Sequence, residues 1–299
     1  MFNQSLLNSN NIEVVSSLGN MQVIQYTKDL SVSPYVAKTE YYSAKMNVNR
    51  RQLLINLNGD GYTIQAGAMQ WTAGNVEMNS GVKGAGDFLG KMVASKVTKE
   101  SAVKPNYFGN GQLMLEPTYR HIILTNVADW GGQVVLDDGL FLACQNSIQQ
   151  KVVARSNVSS ALLGGEGLFN LSLIGNGVVA LESIVPREEL FEIELQNDVL
   201  KIDGNMAIAW SGSLEFTVEK SSKSLIGSAV SGEGLVNVYR GSGKVWMAPV
   251  TKSYLGAGLA SPAQNAQSSQ TGSAASKAGT AGNVIEAAGN VADLLGKFL

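Results

Sequence analysis

Three glutamates at like places in a repeated pattern come closest, by type and spacing, to a chemical site. Glu100 and Glu166 stand eleven residues, and Glu233 ten, ahead of the second glycine of a Gly-x-Gly pair. In a threefold arrangement three equivalent carboxylates are equidistant from a common axis. Carboxylate oxygens are the donors that a hard cation such as calcium or magnesium takes. The plainer expectation is that each carboxylate accepts backbone N–H bonds at a strand entrance and recurs because the strand recurs.

Other reactive residue types are too sparse for catalysis. The chain has one histidine, His121, and one cysteine, Cys144, far apart, whereas a zinc site draws on several such ligands. Cys144 lies in the apolar run Leu140-Phe141-Leu142-Ala143-Cys144 and reads as a small buried hydrophobe. A lone cysteine forms no internal disulfide, so nothing points to an oxidising compartment. There is no Gly-x-Ser-x-Gly elbow. The segment from Gly84 to Met92 misses a phosphate loop by one residue of spacing and by Met92 in place of Ser or Thr. No catalytic residue and no cofactor is expected.

The elements that must position these residues are repeated. ESAVKPNYFGNGQLMLEP from Glu100, EGLFNLSLIGNGVVALES from Glu166 and EGLVNVYRGSGKVWMAP from Glu233 share an order of Glu, apolar strand, Gly-x-Gly and apolar strand. Gly111, Gly177 and Gly243 are spaced 66 residues apart. A second landmark precedes each: GAMQWTAGNVEM from Gly67, GLFLACQNSIQQ from Gly139 and GNMAIAWSGSLEF from Gly204. The pairs Gly109 and Gly111, Gly175 and Gly177, and Gly241 and Gly243 are expected to be hairpin turns, since primed turns need positive φ. Asn58-Gly59-Asp60-Gly61 is expected to be another. Past each Gly-x-Gly, Leu113 and Leu115, Val179 and Leu181, and Val245 and Met247 alternate. Met114, Ala180 and Trp246, between them, are apolar too, so both strand faces are expected to be covered. Trp71, Trp210 and Trp246 fall inside apolar runs and read as core. Helix signals are weak, with candidates only at Gly84–Lys99 and Ser221–Val230.

The blocks GAMQWTAGNVEM, GGEGLFNLSLIGNGVVALES and SGEGLVNVYRGSGKVWMAP resemble the family named for altered inheritance of mitochondria, twenty-fourth member. That family looks like the tryptophan RNA-binding attenuator protein in fold. The resemblance covers residues 50–250. It implies an all-β fold of three tandem β-roll repeats with pseudo-threefold symmetry, and a homo-oligomer such as a trimer or ring. It supplies no catalytic residues to carry over. The mitochondrial role of eukaryotic members is not carried over, because the first twenty residues contain no Lys or Arg. A cytoplasmic, bacterial protein is the expectation. RNA binding by fold analogy is disfavoured: the net charge is −2, and the single adjacent basic pair is Arg50-Arg51.

The expected organisation is an N-terminal extension (1–20) and a β domain (21–255) with units at 50–117, 118–183 and 184–250. A Gly/Ala/Ser/Gln linker (256–282) and an amphipathic helix (283–299) follow. Val284, Ala288, Val291, Leu295 and Phe298 form one helical stripe, and Asn283 with Glu286 suits an N-terminal cap. A helix this short needs a surface to fold on. The body of the chain, a protein partner and a membrane all qualify. Glu286 and Asp293 against Lys297 weigh against an anionic membrane. The functional expectation is a non-enzymatic scaffold that self-associates and recruits a protein partner. A binding module for a small ligand or metal ion at the pseudo-threefold axis is the alternative.

Overall fold

The computed structural model describes residues 9–80, 104–154, 169–220 and 235–250. Glu100, Glu166, Glu233, both helix candidates of the β region, the linker and the stripe from Val284 to Phe298 lie outside the described residues.

Fifteen strands and one α-helix are described. The N-terminal part holds β1 (Ile12–Leu18), β2 (Met21–Tyr26) and α1 (Ala37–Lys45). Next come three long strands, β3 (Arg51–Ile64), β4 (Met69–Asn79) and β5 (Asn106–Leu115). The middle stretch has six short ones: β6 (His121–Asn126), β7 (Gln133–Leu136), β8 (Phe141–Gln145), β9 (Gln149–Ala154), β10 (Phe169–Ile174) and β11 (Val178–Ser183). The last holds β12 (Phe191–Asp203), β13 (Ala207–Ser211), β14 (Glu215–Lys220) and β15 (Leu235–Met247). They form two curled sheets. One follows β1-β2-β3-β8-β11-β6, with β5 on β3 and β4 on β5. The other follows β12-β15-β13-β7-β10-β9, with β14 on β15.

The Gly-x-Gly elements are not hairpin turns. β5 runs unbroken through Gly109 and Gly111, pairing with β3 on one side and β4 on the other. β15 likewise runs through Gly241 and Gly243. At Gly175 and Gly177 the chain passes from β10 in one sheet to β11 in the other, and the two strands do not pair with each other. Gly109, Gly175 and Gly241 share φ values of 120°, 128° and 117°, a region closed to most side chains. The glycines also let a strand cross its neighbour closely. A Cβ on Gly109 would stand 2.2 Å from the Asn75 carbonyl oxygen, and one on Gly111 2.1 Å from that of Ala73. Apolar runs on both sides of a glycine pair fit a bent strand as well as a hairpin, and the neighbouring strands decide. Asn58 to Gly61 is likewise a bulge within β3 rather than a turn, because β5 pairs on both sides of it.

The coverage of both faces is as expected. Leu113, Met114, Leu115, Val179, Ala180, Leu181, Val245 and Trp246 are all buried, and Met247 is partly buried. The largest core cluster draws on both sheets, with Trp130, Leu136, Phe141, Cys144, Leu173, Leu181 and Trp246 among its members. The rings of Trp130 and Trp246 meet edge to face, with centroids 4.7 Å apart. Each large side chain so buried contributes about 2–3 kcal/mol. Trp210 packs with Phe216 and Tyr239 in a second cluster. Trp71 is only half-buried, against the small group Ile24, Leu54 and Met114.

Two N-terminal elements differ from expectation. Residues Ile12–Leu18, read as extension, form β1 and pair with β2 around Gly19 (φ 57°). The helix α1 buries none of its residues, so no apolar stripe announced it.

Candidate functional site

The first strands of the first two long stretches start on basic residues. Arg51 opens β3 and His121 opens β6. Arg51 exchanges backbone bonds with Thr118: its N–H donates to the Thr118 carbonyl at 2.7 Å, and its carbonyl accepts from the Thr118 N–H at 2.8 Å. This pins the start of β3 to the segment leading into β6. The two side chains face a cavity of about 400 Å³, also lined by Val15, Val23, Gln25, Asn47, Ile123, Arg187 and Glu188.

The two arginines of this cavity are engaged with the framework. Arg51 is 4% exposed, and its guanidinium donates to the Asn47 carbonyl (3.1 Å), Asn47 Oδ1 (2.8 Å) and the Asn49 carbonyl (3.2 Å). Asn47 has φ 62° just past α1, so Arg51 holds the chain where that helix ends. Burial lowers the Arg51 pKa, and the Glu188 carboxylate opposes that shift. His121 is pushed down to about 4, first by burial and then by the Arg51 charge, with Glu188 acting the other way. It is therefore a neutral imidazole at physiological pH. Arg187 is bound to Glu192 at 2.6 Å and lies over the Trp246 ring at 4.5 Å, while Trp246 Nε1 donates to the same Glu192 oxygen at 2.6 Å.

A second cleft of about 250 Å³ opens between β2, α1 and Arg50. Two of its charged groups are likewise engaged. Arg50 pairs with Asp29 at 2.8 Å and sits over the Tyr26 ring, and Tyr119 Oη donates to Asp29 at 2.7 Å. The basic pair noted in the sequence thus goes into two separate structural roles.

The single thiol is no nucleophile. Cys144 is fully buried, and burial pushes its pKa up to about 12. Among the described residues no group of three or more His, Cys, Asp or Glu is placed to hold a metal ion. Among them too, no helix is long and apolar enough to cross a membrane. The proximity of Arg51 and His121 escaped the sequence reading, which treated His121 only as a missing zinc ligand. A usable signal existed: both residues open an apolar strand, 70 positions apart, close to the 66-residue period.

Comparison with known proteins fits this picture. A model of the family described as Mitochondrial biogenesis AIM24 matches residues 43–250. An uncharacterized protein of Streptococcus pyogenes is 31% identical over 198 residues, which cover 64% of this chain and 77% of that protein. A crystal structure of a Streptococcus pyogenes protein aligns at 26% identity and a TM-score of 0.52, over 70% of this chain and 92% of that one.

Proposed function

We propose that this chain, which belongs to the Mitochondrial biogenesis AIM24 family, is a non-catalytic scaffold: a rigid β platform that self-associates and recruits a protein partner through its C-terminal segment. The carrying observation is that Arg51 and Arg187 in one cleft, and Arg50 and Asp29 in the other, are engaged in holding strands and α1 in place. A catalytic site keeps such groups available for substrate.

We read the platform as three consecutive units with pseudo-threefold likeness. In support, the strand order first–third–second recurs, as β3-β5-β4, as β6-β11-β8 continued by β7-β10-β9, and as β12-β15 flanked by β13 and β14. The N–H groups of Glu116, Glu182 and Ala248 donate at 2.7 Å to the carbonyls of Ala68, Leu140 and Met206 respectively. Ser147 and Ser213 donate at 2.8 Å to the carbonyls of Asn176 and Ser242. These partners recur at or near the 66-residue spacing of the glycines.

Light scattering on the full chain and on a chain ending at residue 255 tests the proposal. Self-association of both, with protein partners captured only by the full chain, is the expected result. A monomer at all concentrations whose captured proteins ignore the truncation would sink it.

A second reading, a module for a small anionic ligand, draws on the cavity edged by Arg51, Arg187 and a neutral His121. Its mark is a rise in melting temperature with a small carboxylate or phosphate that disappears in Arg187→Ala.

A further inference from the structure

Two junctions join consecutive stretches, and they match residue for residue. At the first, the end of β3 pairs with β8: Tyr62 with Gln145, Thr63 with Cys144 and Ile64 with Ala143. It is flanked by Gln65 N–H on the Leu142 carbonyl (2.8 Å) and Asn146 N–H on the Gly61 carbonyl (2.9 Å). At the second, β7 pairs with β13: Val134 with Ser211, Val135 with Trp210 and Leu136 with Ala209. It is flanked by Asp137 N–H on the Ile208 carbonyl and Gly212 N–H on the Gln133 carbonyl, both 2.9 Å. In each case the first strand of one stretch adds to the second strand of the next.

The same rule leaves one pair of edges over. The first strand of the last stretch is β12, and the second strand of the first stretch is β4. Among the described residues β12 pairs only with β15, and β4 only with β5. Some of their side chains are more exposed than those at the matching positions: Leu200 is half-buried where Tyr62 and Val134 are fully buried. Cys144 and Trp210 are 0% and 4% exposed, but the corresponding Thr72 is exposed. Met69 is 40% exposed where the matching Phe141 and Ala207 are buried, and Val199, beside Leu200 on β12, is 47% exposed. An apolar sheet edge left open is a template for another strand.

We propose that these edges join between copies, β12 of one molecule adding antiparallel to β4 of the next. This rests on the self-association reading above and names its surface. Transferring the internal register through the Ala68, Leu140 and Met206 carbonyls sets Leu200 opposite Ala73 and Lys201 opposite Thr72. It directs Asp203 N–H to the Gln70 carbonyl and Gly74 N–H to the Val199 carbonyl. The occupant is a second copy because the two edges are complementary by the rule that already builds both internal junctions. Lys201 takes the place of Thr63 and Val135, opposite a threonine that leaves its ammonium to solvent. Unlike edges joined head to tail generate a ring when the rotation closes and a filament when it does not.

Cysteine pairing in the full chain tests the register. By transfer, Ala73 and Leu200 form a non-hydrogen-bonded pair, whose side chains approach closely enough for a disulfide. Mixing Ala73→Cys with Leu200→Cys is expected to give a covalent dimer on mild oxidation that neither variant gives alone. The double variant is expected to give a ladder or one closed oligomer. A disulfide confined within single chains of the double variant would overturn the proposal, since the edges would then close on themselves. Absence of cross-linking in a chain that light scattering shows to be multimeric would overturn this junction and leave self-association standing. A monomeric wild type would overturn both. Thr72→Pro, which removes an outward donor at the edge, is expected to raise the half-assembly concentration about tenfold or more with an unchanged far-UV spectrum. Unaltered assembly of that variant counts against the junction.

Discussion

The strands carrying Gly109–Gly111 and Gly241–Gly243 run unbroken through their bends, whereas at Gly175–Gly177 the equivalent strand comes apart into β10 and β11. The local rule is the same in all three: a glycine with φ near 120° where one strand crosses another. The surroundings differ. The outer stretches have a neighbouring stretch on one side, and the middle one is held on both, by β3 through β8 and by β13 through β7. Its two halves therefore enter different sheets. A bend written into the residues becomes a break only when tertiary partners pull its ends apart.

The contrast can be tested from the centre outwards. Trp246 packs on Trp130 in the core shared by both sheets, so Trp246→Ala is expected to lower unfolding free energy by about 3–5 kcal/mol in urea titration. An effect below about 1 kcal/mol would mean the sheets do not share one core.

The glycine series comes next and separates crowding from backbone strain. A Cβ would meet a carbonyl oxygen at 2.2 Å on Gly109, 2.9 Å on Gly175 and 3.6 Å on Gly241. With nearly equal φ, alanine at these sites is expected to cost about 3 kcal/mol or more at Gly109 and about 1–2 kcal/mol at Gly241, with Gly175 between. Equal losses at all three would show that φ alone matters and that the closeness of the crossing does not.

A smaller effect concerns pH. The folded pKa of His121 is lowered, to about 4, so the unfolded chain binds more protons between pH 6.5 and about 4. Stability is expected to fall as pH drops through that window, by roughly 1–2 kcal/mol after allowance for solvent screening. His121→Gln should flatten that part of the curve in melting experiments across this range.

Smallest are the crossing hydroxyls. Ser147→Ala and Ser213→Ala each remove one bond to a carbonyl of a Gly-x-Gly segment and should each cost about 0.5–1 kcal/mol. Similar values for the two would support like geometry in the middle and last stretches, and a marked inequality would weaken it.

The repeated blocks made the β character and the buried strand pairs legible, because alternation such as Leu113, Met114, Leu115 follows from strand geometry alone. The bends were misread as turns because a glycine pair between apolar runs reports a positive φ, not the direction the chain takes afterwards. α1 was missed because its residues pack on nothing that leaves a periodic trace. Its anchor is Arg51, a residue read only as half of a basic pair. The cavity beside it is legible only through the repeat, because it joins residues 70 positions apart through the Thr118 bridge.

Cys144 pairs with Thr63 across the first junction and with Val179 within its own stretch, with no surface open to solvent. It is also the sole thiol of the chain. A thiol reagent therefore has nothing to label until that seam parts, and the labelling rate of the unmodified protein becomes a clock for its opening.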